Sequence, residues 1–128
     1  METFSFLSKS IKTVFMALMV FAFVAPAVAD VVKIIDAKAR KKGDGWYFTV
    51  TLKHADTGWD HYADAWRVVS EDGKIFGERT LYHPHVDEQP FTRGLGDVKI
   101  PADIKKVYIE AHDKVDGWAK ERHAVFLE

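Results

Sequence analysis

The segment Gly45–His54, GWYFTVTLKH, constrains the fold most. Trp46, Phe48, Val50 and Leu52 alternate with Tyr47, Thr49, Thr51 and Lys53. A period of two puts the first set on a buried face and the second on a wetter one, as in a half-buried β-strand. His54 continues the buried parity at the strand's end. A strand with one apolar face needs neighbouring strands and a second layer to cover that face.

The sequence supplies them. Turn signals recur about every ten residues, and they delimit seven predicted strands, lettered A to G. They run Val31–Ala39, Gly45–His54, Ala63–Ser70, Lys74–Tyr82, Phe91–Val98, Lys106–Asp113 and Arg122–Leu127. "RKKGDG", Arg40 to Gly45, reads as a solvated hairpin turn, and "SEDGK" as a tight turn with the glycine that such turns need. Strand C carries Trp66 and Val68 on one face and Ala65, Arg67 and Val69 on the other. Strand E is expected to bend at Gly94 and Gly96. Strand F alternates Val107, Ile109 and Ala111 against Tyr108, Glu110 and His112. Helical periodicity is absent beyond one conceivable turn near Pro101–Lys105.

Seven short strands in about a hundred residues predict an all-β, antiparallel sandwich that resembles the immunoglobulin and fibronectin-III folds. Trp66 would be the core tryptophan and Tyr108 a tyrosine corner. A small closed β-barrel is the alternative architecture.

The first 29 residues read as a removable targeting segment. Lys9 and Lys12 form a basic start, Val14 to Val24 is an apolar run too short to span a bilayer, and Ala27-Val28-Ala29 is a small-residue cleavage signal. Cleavage after Ala29 leaves residues 30–128 as a single domain, soluble and exported to a periplasm or the medium. All three methionines fall in the targeting segment and the chain has no cysteine. The domain must therefore hold together by packing alone, with no sulfur to offer a metal and no cysteine for lipid attachment.

The first 29 residues contain two lysines and one glutamate, so 16 basic and 18 acidic residues remain. That balance gives no footprint for nucleic acid or for an anionic membrane. Residues 30–128 contain a single serine, Ser70, in the C–D turn. With no cysteine nucleophile, phosphate-cradling loop or dinucleotide fingerprint, the chain is expected to have no catalytic activity of its own.

In an antiparallel order, the B–C, D–E and F–G loops share one end of the domain. His54, His61, His83, His85, His112 and His123 all fall toward that end. "LYHPHVDEQPF", Leu81 to Phe91, is the densest part of it. With Asp87 these histidines are candidate ligands for zinc or copper(II), which suit imidazole and carboxylate. The same loops carry Trp59, Tyr62, Trp118, Asp116 and Glu88, a candidate surface for recognising a protein or small ligand. Binding at this end is the leading expectation, and a metal site there is the alternative. The bland alternatives are that Trp59 and Trp118 fold back as plugs over the core and that His112 and His123 pair across strands F and G. Arg93 is expected to reach Glu78 on strand D.

Overall fold

The computed structural model describes residues 31–128. The targeting segment and its cleavage point lie outside the described residues. The described chain is all-β, with strands β1 Lys33–Lys42, β2 Gly45–Lys53, β3 Ala63–Val69, β4 Ile75–Thr80, β5 Phe91–Val98, β6 Lys106–Asp113, β7 Gly117–Trp118 and β8 His123–Phe126. Strands A to F correspond to β1 to β6, and strand G to β8. The chain near Pro101–Lys105 makes only a turn, closed by Ile104 N–H donating to the Pro101 carbonyl at 3.0 Å.

Two antiparallel sheets form, in the orders β1-β2-β5 and β4-β3-β6-β7, with β8 also paired to β6. They do not close into a barrel. β1 meets β8 and β6 across the interlayer space, and β4 meets β5. The β1–β2 hairpin has the two-residue loop Gly43-Asp44, and Gly43 takes φ 61°, the left-handed conformation that such loops favour.

The core lies between the sheets, filled from both sides by residues of one parity. Phe48, Val50 and Leu52 of β2 meet Trp66 and Val68 of β3 and Val107, Ile109 and Ala111 of β6, all essentially inaccessible. Burying each large side chain stabilises the fold by about 1.5–3 kcal/mol. β1 keeps its parity only by a bulge between Ile34 and Asp36, which turns Ile35 outward and leaves Ala37 and Ala39 packed against the core.

The bend expected in strand E has a definite form. Trp46 faces Val98 and Phe48 faces Leu95, so Gly96 and Asp97 together oppose Tyr47. Asp97 takes φ 54° in this bulge. Gly94 serves a different purpose, because the Tyr47 ring lies over it. A Cβ at Gly94 would clash with Tyr47 Oη.

The second face of β3 is covered as well, since Ala65 and Val69 are buried there. After β6 the chain turns back along that strand as β7 and then β8, and side chains of this segment lie on the outer face of the five-stranded sheet. Trp118 packs on the Arg67 guanidinium at 3.6 Å and meets His112 edge-on at 4.9 Å. Glu110 bridges Arg67 at 2.9 Å and Arg122 at 3.3 Å. Arg122 lies over Tyr108 at 4.7 Å and donates to the Ser70 and Glu71 carbonyls. Tyr108 therefore belongs to an outer layer of stacked cations and rings. Trp118 covers the sheet face, whereas Trp59 stays 64% exposed.

This difference is measurable. Trp118→Ala should lower unfolding stability by about 1–2 kcal/mol, and Trp59→Ala should stay within about 0.5 kcal/mol. Urea denaturation of both variants checks it; equal losses would contradict the layered arrangement.

Candidate metal centre

Two strands carry their buried parity one step past their last apolar residue. β2 runs Phe48, Val50, Leu52 and then His54, and β6 runs Val107, Ile109, Ala111 and then Asp113. Both polar side chains thus enter the top of the core at the same end of the sandwich. Hydrogen bonds tie the three loops together there. Lys114 N–H donates to the Tyr62 carbonyl, Leu81 N–H to the Asp64 carbonyl, and His54 N–H to Gln89 Oε1. The Gln89 amide in turn donates to the His85 carbonyl at 2.9 Å.

Asp56 lies beneath these loops with a fully buried side chain. Its Oδ1 accepts from Ala63 N–H at 3.0 Å and pairs with His54 Nδ1 at 2.6 Å. Its Oδ2 accepts from His85 N–H at 2.8 Å. Two backbone donors and one imidazole compensate a carboxylate that would otherwise be costly to bury. The contact also fixes a tautomer. With its Nδ1 proton directed at Asp56, a neutral His54 carries its lone pair on Nε2.

His61 reaches the same place by a tight reversal, with Gly58 and His61 bridged and Thr57 N–H bonded to the His61 carbonyl. The His54 and His61 rings meet edge-on at 4.8 Å. His61 Nε2 lies 3.4 Å from Asp113 Oδ1 and 3.8 Å from Asp116 Oδ2, yet it makes no hydrogen bond among the described residues. Asp113 Oδ1 accepts from Val115 and Asp116 N–H at 2.9 and 2.7 Å. Asp113 Oδ2 is buried and accepts no hydrogen bond among the described residues.

One ligand atom from each of His54, His61 and Asp113 lies within 4.8 Å of the others. A tetrahedral centre with bonds near 2.0 Å has edges of about 3.3 Å. The His61 Nε2–Asp113 Oδ1 distance of 3.4 Å sets the imidazole beside this carboxylate, and a bound ion would draw the wider spacing of the three ligand atoms in. Asp56 on His54 supplies the outer carboxylate that commonly orients a ligating imidazole.

The remaining candidates distribute around this group. His85 is buried and stacked on Phe91 at 3.9 Å, and its Nε2 accepts from Arg93 Nη2 at 2.9 Å. Burial, then the Arg93 and His83 charges, hold its pKa below the usual imidazole range. His83 is exposed, with Nδ1 near the Pro84 carbonyl, and Asp87 is exposed. His112 pairs with Asp64, which a bulge between Ala63 and Ala65 leaves as the extra residue of β3. His123 faces Ile109, and His112 faces Trp118. The cross-strand His112–His123 pair therefore does not form, because β7 occupies the end of β6 and β8 pairs further back. Of the recognition candidates, Trp59, Glu88 and Asp116 are exposed residues, although the Asp116 side chain itself is only 26% exposed, and Tyr62 is buried under Lys114. Arg93 pairs with Glu88 at 3.3 Å rather than with Glu78. The reason is topological: β4 and β5 lie in different sheets. Arg93 holds the Glu88 carboxyl below its usual pKa.

Asp113 and Asp56 are the residues that the candidate ligand set lacked. The parity of strand F, extended by one step, points to Asp113. No local pattern announces the loop contacts of Asp56.

The fold and site thus define a two-sheet β domain with a His/His/Asp group, buried except at His61, at its loop end. No family model matches the chain, and no solved structure matches it. It is similar to a protein of Halomicrobium mukohataei named "Putative lipoprotein", with 37% identity over 81 residues. The match covers 63% of this chain and 39% of that protein, so the chain spans well under half of its relative's length.

Asp56→Asn would turn an amide NH2 or lose an acceptor toward the His54 or His85 donors. It should cost about 2–4 kcal/mol in urea denaturation. His85 gives a pH dependence of known sign. Below about pH 6.5 the unfolded chain takes up a proton on this residue that the folded chain refuses, so stability falls with pH until the lowered folded pKa is passed. His85→Phe should show a smaller loss between pH 7.5 and 5.5 than the wild-type protein; an equal loss would rule His85 out as the source.

Proposed function

We propose that this chain is an exported accessory domain of the cell envelope that binds one divalent transition metal ion through His54, His61 and Asp113. One observation carries the reading: among the described residues Asp113 Oδ2 is buried without a hydrogen-bond donor, and the His61 Nε2 beside this carboxylate makes no hydrogen bond either. An uncompensated buried carboxylate oxygen is costly, and a dication between it and two imidazoles compensates it. Imidazole and carboxylate donors without sulfur favour zinc or copper(II) over copper(I). Export is supported by the targeting pattern in the first 29 residues and by the name of the relative. The 128 residues contain no cysteine, so a lipid on a cysteine of this segment is not part of the proposal. Among the described residues no helix is long and apolar enough to cross a membrane.

Calorimetry at pH 7.5 should give about one zinc per chain with micromolar or tighter affinity. His54→Ala and His61→Ala should each weaken it by about 100-fold or more, and His83→Ala by less than about twofold. The absence of binding up to high micromolar zinc would end the reading. Loss of affinity in His83→Ala but not in His61→Ala would move the site to the D–E loop.

A second reading, recognition of a protein or small ligand by the same end, is favoured by the exposure of Trp59, Tyr82 and Val86 on two adjacent loops. Trp59→Ala would then abolish capture of a partner from an envelope extract without changing stability. Unchanged capture would remove Trp59 from that role.

A further inference from the structure

We infer that Asp116 supplies the fourth ligand, closing the centre as a two-histidine, two-aspartate site with no exchangeable coordination position. This rests on the proposal that His54, His61 and Asp113 hold the ion. It decides between two classes of metal site. Three protein ligands and a water make a site that can engage an outside ligand, whereas four protein ligands make a closed one.

Three features of the turn after β6 support it. First, the backbone of Asp116 is fixed by the ligand residue itself. Its N–H donates to Asp113 Oδ1 at 2.7 Å, alongside that of Val115, so the two aspartates belong to one hydrogen-bonded turn. The same bonds occupy Asp113 Oδ1 and leave Oδ2 for a cation. Second, Asp116 Oδ2 lies 3.8 Å from His61 Nε2, about half an ångström beyond the ligand–ligand edge of a tetrahedral zinc centre. A small side-chain rotation closes that difference. Third, burial places it on the open side. The His54 and Asp113 side chains are fully buried, whereas those of His61 and Asp116 are 23% and 26% exposed. Asp116 can therefore close over the ion without disturbing the core. Gly117 follows with φ 77°, so the chain reverses immediately after Asp116 and enters β7, which holds the turn against β6.

Cobalt(II) is the probe, because its visible bands report coordination number. Cobalt-loaded wild-type protein should show the intense bands of a four-coordinate site, unchanged by added azide. Asp116→Ala should give weaker, higher-coordinate bands that shift with azide, and its zinc affinity should fall by about tenfold or more. Asp116→Asn, which preserves size, should behave similarly and guards against a packing artefact. An azide-sensitive wild-type spectrum, or an Asp116→Ala spectrum identical to wild type, would overturn the inference while leaving the three-residue site standing. If wild-type protein binds neither cobalt nor zinc, the parent proposal falls and this one with it.

Discussion

The loop end of this domain depends on one buried carboxylate. Asp56 is out of contact with water, and its oxygens are matched by donors from three places: the end of β2, the start of β3 and the loop between β4 and β5. An ionised group in that position has a large desolvation cost, and its stability comes from every donor being present at once. The loops are therefore locked to one another in a single arrangement, and His54 is held with its ring in a defined orientation. Asp113 stands in contrast. It is equally buried, but among the described residues one of its oxygens is matched and the other is not. Two acids of the same type at one end of one core thus have different accounts, and the difference is what points to a cation.

Much of this was legible from alternation. The parity of Gly45–His54 placed Phe48, Val50 and Leu52 inside and correctly carried His54 inward with them. Strand E matched its expected limits, Phe91–Val98, because apolar and turn residues bracket it clearly. The same rule, extended past Ala111, would have identified Asp113 as buried. Local patterns were silent on what depends on pairing between distant strands. Arg93 could not be assigned to Glu88 without knowing that β4 and β5 belong to different layers. The pairing of β7 with the end of β6 involves only two residues, too few to leave a periodic signal, yet it displaces β8 and separates His112 from His123.

The histidine-rich stretch Leu81–Phe91 drew attention in the sequence because two imidazoles flank a proline. In the fold their rings lie 4.6 Å apart but in different surroundings. His85 is stacked on Phe91 and hydrogen-bonded by Arg93, so its ring nitrogen is occupied by a cationic donor, while His83 faces solvent. The density of a residue type along the chain was a weaker guide to chemistry than its depth in the core.

The outer layer on the five-stranded sheet has a consequence for the candidate centre. Asp116, Gly117 and Trp118 are consecutive, and the indole is clamped between Arg67 and His112. Only Gly117 separates Asp116 from this stacked indole, so the turn that carries the candidate ligand is anchored at one end to the outer face of the sheet.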